Sequence, residues 1–316
     1  MDAKLKRILT LAAILLVVAA IEYVADVEIL GIVPPPDAAD TTQVATPPPN
    51  ASNSPGDLHL RLVSWNIRDL GRSKNDAEIG AMAQTLRGAD LVAVQEVVTS
   101  PAGAQAVARL DAALDRTGFE WDYRLSDPTT GDGTERYAFL WKPSRVRLIG
   151  QPWLEGSLSA TIDREPFCGR FEHRRTGERL LLASLHAVPR SKDPEHEIRQ
   201  LPALHRQYGD DHVIIAGDFN LDEDDVAFDD LRALGYGQVL DDQPTSLRRK
   251  RRDGPLGHFA NEYDNMFYET SPLRVRQSGV MDFTQRFETL RSARAISDHV
   301  PLYADVGWAS SAPVAP

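Results

Sequence analysis

Eight short runs rich in β-branched and aliphatic residues recur along this chain, at 60–65, 91–95, 137–141, 167–173, 180–185, 213–216, 265–268 and 301–306. Runs of this length and composition are strands rather than helices. Helical periodicity falls between them, at 76–87, 102–117, 195–207 and 224–234. Arg174-Arg175-Thr176-Gly177 has the chemistry of a hairpin turn between two of the runs. Strands interleaved with helices predict a layered α/β domain, and no repeat of short fixed period suggests a solenoid.

The strand ends carry a second regularity. Trp65 runs into Asn66, Gln95 into Glu96, Leu185 into His186, and Gly217 into Asp218 with Asn220 close behind, while Ser297-Asp298-His299 opens the last run. One polar residue at a strand end is ordinarily a turn former or a cap. The set is different, because amides, carboxylates and imidazoles at five strand ends are the groups that metal-assisted hydrolysis requires. Glu96, a carboxylate directly after a strand, is the strongest metal-ligand candidate among them.

Charge restricts the partners. The formal net charge is −11, the opposite of the balance that wraps nucleic acid broadly by electrostatics. Any hold on a polyanion must be local or must run through a bound cation. One exception is Arg248-Arg249-Lys250-Arg251-Arg252. Such runs are usually solvated loops, and the alternative is a clamp on phosphates. Cys168 is the single cysteine, so no intrachain disulfide forms.

The ends of the chain have another composition. Lys4, Lys6 and Arg7 precede an uncharged apolar stretch over 8–21. As a helix that stretch would reach about 21 Å, short of the roughly 30 Å hydrocarbon core. Residues 1–33 are therefore expected to be a secretory signal or an uncleaved membrane anchor. The Pro- and Ala-rich stretch 34–57 is expected to be an extended linker, the catalytic domain to span 58–307, and 308–316 to be a disordered tail. This organisation implies an exported protein, periplasmic or extracellular, with membrane contact through its first segment.

Eight segments in this order resemble the endonuclease/exonuclease/phosphatase superfamily, and within it most closely deoxyribonuclease I. They are Ser64-Trp65-Asn66-Ile67-Arg68, Gln95-Glu96-Val97, Glu135-Arg136-Tyr137, Arg164-Glu165-Pro166, Leu185-His186-Ala187-Val188-Pro189, Gly217-Asp218-Phe219-Asn220, Tyr263-Asp264-Asn265 and Ser297-Asp298-His299-Val300-Pro301. A lone Gly-Asp-Phe-Asn would be a moderate signal; eight segments in register are a strong one. The resemblance implies a four-layer α-β-β-α sandwich with an active site at one end.

It also implies roles. Asn66, Asp218 and Asp298 would complete a Mg²⁺ or Mn²⁺ site with Glu96, and Asn220 would hold the phosphate or align the attacking water. His299 would pair with Asp264 and His186 with Glu135, a carboxylate on one ring nitrogen leaving the other to move a proton. We read Asp264–His299 as the base and Glu135–His186 as the acid or phosphate-stabilising side, although the residues alone allow the reverse. Arg68 and Arg164 fall where the family contacts substrate phosphates, with Arg248 and Arg249 as further substrate-binding candidates. DNA is the expected substrate, lipid or small phosphorylated head groups are the alternative, and no protein partner is implied. Two departures weaken the reading of a duplex minor groove: Val98-Thr99-Ser100-Pro101 follows Glu96-Val97 where deoxyribonuclease I places an arginine, and Gly133 stands where a tyrosine is expected.

Overall fold

The apolar runs become strands because both of their faces are covered. The computed structural model describes residues 58–309. Its strands are β1 (Leu60–Leu70), β2 (Leu91–Val97), β3 (Asp122–Leu125), β4 (Arg136–Trp141), β5 (Val146–Leu154), β6 (Phe167–His173), β7 (Arg179–His186), β8 (Val213–Asp218), β9 (Tyr236–Gln238), β10 (Asp264–Glu269), β11 (Leu273–Val280) and β12 (Leu302–Trp308). The helices are α1 (Asp76–Leu86), α2 (Pro101–Asp115), α3 (Pro194–Ile198), α4 (Pro202–Tyr208), α5 (Asp229–Ala233) and α6 (Leu290–Ile296). One sheet has the order β11-β12-β1-β2-β4-β3 and the other β5-β6-β7-β8-β10-β9.

Strand β7 shows how the layers arise. Leu180 and Leu182 enter the core shared with the first sheet. Leu181, Ala183 and Leu185 enter a second core with Ile198, Leu204 and Leu231 from the helical segments outside. Alternate residues thus face different layers, and neither face meets water, which is why the run reads as continuously apolar. On the other side, α1 buries Ile79, Met82, Ala83 and Leu86, a helical stripe. A capping box starts that helix, with the Glu78 N–H donating to Asn75 Oδ1 and the Asn75 N–H to Glu78 Oε2, both at 2.9 Å. The result is the α-β-β-α sandwich that the sequence implied.

Connectivity sets where the polar strand ends meet. Strands β1 and β2 run parallel with Asn66 opposite Gln95. Strands β7 and β8 run parallel with His186 opposite Asp218. Their carboxyl ends lie at one end of the sandwich. Antiparallel β10 puts Asp264 opposite Asp218, and antiparallel β12 brings the segment before Leu302 to the same end of β1. A buried pin joins the sheets beneath this end: Gln95 Nε2 donates to Ser184 Oγ at 2.8 Å and to Ser64 Oγ at 3.2 Å.

Two expected helices are broken. The stretch 195–207 divides at Pro202 into α3 and α4, as a proline without an N–H requires. The stretch 224–234 becomes a 3₁₀ turn, Val226–Phe228, followed by α5. Strand β12 continues to the buried Trp308, one residue past the expected domain end. The signal or anchor and the linker expected over 1–57 lie outside the described residues. Among the described residues no helix is long and apolar enough to cross a membrane.

Candidate active site

The chain bends sharply to present its acids. Glu96 has φ 61° and Asn220 φ 53°, left-handed conformations that cost a non-glycine residue free energy and that cluster at functional sites. At Glu96 the β2–β4 ladder shifts register between Val94 and Val97, so a bulge lifts the carboxylate out of the sheet. The Glu96 N–H donates to Glu135 Oε1 at 3.1 Å. Its Oε2 accepts from the Asp69 N–H at 3.1 Å. Before Asp218, a Cβ on Gly217 would lie 1.8 Å from the Leu185 carbonyl oxygen, so the glycine of Gly-Asp-Phe-Asn is a requirement of the parallel β7–β8 pairing.

Asp218, nearly fully buried, is the centre. Its Oδ2 lies 3.6 Å from Nε2 of both His186 and His299. Each imidazole is held on its other nitrogen by a carboxylate: His186 Nδ1 to Glu135 Oε2 at 2.8 Å, and His299 Nδ1 to Asp264 Oδ2 at 2.6 Å. Both expected dyads are thus present as geometry, each imidazole facing the same Asp218 oxygen. Asn66 Nδ2 donates to Asp218 Oδ2 and to Glu96 Oε1, both at 3.0 Å. Asn220 donates its N–H to Asp218 Oδ1 and its Nδ2 to the Ala187 carbonyl, also both at 3.0 Å. A cavity of about 330 Å³ opens over Glu96, Glu135 and His186.

The electrostatics follow from burial and like charge. Burial by itself would lower the His299 imidazole, but the Asp264 and Asp218 carboxylates outweigh it and push it up to about 10. His186 is also raised, Glu135 outweighing burial. Burial raises the Asp218 carboxyl, opposed by the His299 charge. A histidine whose folded pKa is raised contributes stability that is complete below its unfolded pKa, near 6.5, and is lost as pH rises through the folded value. In chelator, the melting temperature is therefore expected to fall between about pH 6.5 and 10, and to fall less in His299→Gln. Equal slopes, measured by calorimetry, would remove His299 as the cause.

The oxygen donors suit a divalent cation. Asn66 Oδ1 is buried without a hydrogen-bond partner, while its Nδ2 donates to the Glu96 and Asp218 carboxylates; with the amide turned over, its oxygen would face both carboxylates, a donor set that a hard cation satisfies. Asp218, Asp264 and His299 also offer ligand atoms within 4.8 Å of one another, but Asp264 and His299 are already committed to each other. Glu96, Asp218 and Asn66 are the better set. Asp298, expected among the ligands, has its Oδ2 3.0 Å from Arg294 Nη2 and 3.8 Å from Arg68 Nη1.

The arginines divide. Arg68 is two-fifths exposed at the rim. Arg164, expected as a substrate contact, is buried: Nε donates to the His186 carbonyl at 2.8 Å, Nη2 to the Ala187 carbonyl, and Nη1 lies 3.6 Å from Glu135 Oε2. In this position it braces the His186 dyad. Arg249 to Arg252 are exposed, with Arg248 partly so, on an excursion whose base is tied to the site by Leu247 N–H donating to the Asp298 carbonyl at 2.7 Å and Ser246 bridging His299. At Gly133, where the resemblance led to a tyrosine, the backbone N–H donates to Asp163 Oδ2 at 2.9 Å.

Several supporting residues carried no assigned role in the sequence. Thr245 Oγ1 donates to Asp264 Oδ2 at 2.7 Å and accepts from the Asp264 N–H at 2.9 Å. Trp65 Nε1 donates to the His299 carbonyl at 2.8 Å. Ser297 Oγ donates to the Asn66 carbonyl at 2.6 Å and accepts from the His299 N–H at 3.0 Å. Tyr137 Oη donates to the Arg164 carbonyl and accepts from the His186 N–H, both at 3.2 Å. Trp65, Tyr137 and Ser297 lie inside the motif segments, where proximity to the functional positions is the signal; Thr245 lies outside them all.

Two carboxylate–imidazole dyads facing one buried carboxylate, beside an oxygen-rich pocket, are the equipment of a phosphoester hydrolase. Residues 63–299 match the Endonuclease/Exonuclease/phosphatase family, and the chain belongs to that family. It is 29% identical over 266 residues to a deoxyribonuclease of Thioalkalivibrio sp. (strain K90mix), covering 77% of this chain and 70% of that protein. It is 25% identical over 271 residues to deoxyribonuclease gamma of Rattus norvegicus, covering 78% and 84%. The fold is shared with D. rerio TDP2 complexed with single-strand DNA product, at TM-score 0.57 and 19% identity, over 79% of this chain and all (100%) of that one. A mannosyl-6-phosphatase of Bacteroides thetaiotaomicron shares it too, at TM-score 0.58 and 19% identity over 78% and 99%. Enzymes of the family use divalent metal ions.

Proposed function

We propose that the chain is an endonuclease that hydrolyses DNA with low sequence specificity, using Mg²⁺ or Mn²⁺. The observation that carries this reading is the convergence of both dyads on Asp218 beside Glu96 and Asn66. His299, with Nδ1 engaged by Asp264, takes a proton from the attacking water at Nε2 in its neutral form, which a cation at Asp218 would favour by offsetting one of the carboxylates that raise the ring. His186, with Nδ1 engaged by Glu135, stabilises the phosphoryl oxygens or gives a proton to the leaving oxygen. Asn220, fixed by two hydrogen bonds, orients the phosphate. A divalent ion held by Glu96, Asp218 and Asn66 would neutralise phosphoryl charge in an otherwise acidic pocket.

DNA is favoured by two relatives called deoxyribonucleases and by the exposed basic excursion beside His299. Low specificity is supported by the lack of side chains placed for groove reading at Val98 and Gly133. Among the described residues the exposed large apolar side chains are Val226, Leu234 and Leu256, too few for a lipid-inserting face. Export or membrane attachment is supported only by the sequence of residues 1–33, and fractionation of cells expressing the full chain tests it. The substrate is tested by incubating purified protein with plasmid, single-stranded DNA, RNA and sphingomyelin, with and without EDTA. Plasmid cleavage that needs the metal is the expected result; cleavage of the lipid alone would overturn the proposal.

A further inference from the structure

A second cavity, of about 540 Å³, adjoins the one over Glu96 and His186: loop 69–74 is in its wall, and Asp69 and Val98 line both. That loop is firmly placed. Asp69 sits at φ 51°, with its N–H on Glu96 Oε2. A Cβ on Gly71 would meet Val98 Cγ2 at 2.4 Å. Lys74 Nζ donates to the carbonyls of Ala295 and Ile296, both at 2.7 Å.

Arg72 is carried on this fixed loop, exposed, in the wall of the second cavity. Arg68 shares that wall but lies 3.8 Å from Asp298 and 3.9 Å from Asp69, whereas no ion pair to Arg72 forms among the described residues. Beyond His186 the character reverses. There a cavity of about 460 Å³ is lined by Asp132, Asp163, Asp193 and Glu197, against Lys192 and His196. An anionic strand leaving the reaction centre thus meets Arg68, Arg72 and Lys74 against Asp69 and Glu78 on one side, and four carboxylates against Lys192 on the other.

We infer that Arg72 holds a second phosphate of the substrate, the one adjoining the scissile phosphodiester, so that the strand leaves the site over residues 68–73. The inference rests on the nucleic-acid reading above and deepens it. The preferred substrate carries at least one phosphate beyond the one attacked, as an oligonucleotide does and a dinucleotide or a lipid phosphodiester does not. A guanidinium is suited to this task because its fork of donors matches two phosphate oxygens.

The test compares wild type, Arg72→Ser and Arg72→Lys on a single-stranded oligodeoxynucleotide of about twelve nucleotides and on a dinucleotide, with one phosphate contact expected to contribute about 0.7 to the salt slope. For Arg72→Ser, kcat/KM on the longer strand is expected to fall about five- to tenfold, the scale of one charge-assisted contact, mainly through KM. The loss on the dinucleotide should be much smaller. The slope of log kcat/KM against log salt should flatten by about 0.7 in Arg72→Ser and recover in Arg72→Lys, which restores the charge. Equal losses on both substrates would mark Arg72 as structural and overturn the inference, as would wild-type kinetics on the longer strand. If the wild type cleaves plasmid but Arg72→Ser behaves identically, this inference alone fails; if the wild type cleaves no nucleic acid, the nucleic-acid reading fails and takes it along.

Discussion

Alanine at His299 is expected to lower the rate of phosphodiester hydrolysis by about 10²–10⁴-fold, the range for losing a positioned acid or base. The residue is fixed from several directions: Asp264 on the ring Nδ1 at 2.6 Å, Trp65 on the backbone carbonyl at 2.8 Å and Ser297 on the backbone N–H at 3.0 Å. Its Nε2 is therefore aimed at Asp218. Asp264→Asn should also be severe, because the amide no longer supplies the charge that holds the ring in its working state. The double variant is expected to be little worse than the worse single one, since residues acting as a unit are strongly non-additive. Steady-state kinetics on a DNA substrate reads all three. Multiplicative losses would mean that the two side chains act separately, which the hydrogen bond between them does not allow.

Gly217→Ala is expected to destabilise the fold by about 3 kcal/mol or more, a size reserved for backbone conflict and core disruption. The new Cβ would lie 1.8 Å from the Leu185 oxygen and 2.8 Å from its carbonyl carbon, with φ at 153°. Neither atom belongs to a flexible side chain. Relief requires β7 and β8 to part at the register that places His186 opposite Asp218, so activity should fall with stability. Denaturant unfolding of the two proteins checks this, and an unchanged midpoint would show that the strands can part there at no cost.

The legibility of the fold divides along a physical line. Eight strands were visible as apolar runs, and they are the interior strands of the two sheets. The four that were not, β3, β5, β9 and β11, are the outermost strands of their sheets. Their residues are largely half-buried or exposed, as in Arg147, Gln151, Arg274 and Gln277, so no apolar run marks them; polar residues on edges are how sheets avoid further pairing. Asn66, Glu96, His186 and Asp218 were legible because they fall at the ends of apolar runs whose parallel pairing brings such ends together, whereas Glu135 and Asp264 were assigned only through the family resemblance. Thr245 was not legible, because it contacts Asp264 across irregular chain, from 19 positions away in sequence. Arg164 was visible as a charge but not as a brace, since its burial depends on carbonyls of β7 and the loop after it.

Metal dependence tests the central geometry most directly. The initial rate of supercoiled plasmid cleavage should be followed for the full chain and for Glu96→Gln, from chelator through rising Mg²⁺. No cleavage is expected in chelator, and the Mg²⁺ midpoint should rise by about 10–100-fold in the variant, the scale on which weakened coordination acts. Wild-type cleavage in chelator at the Mg²⁺ rate, or one midpoint for both proteins, would contradict a cation held by Glu96, Asp218 and Asn66.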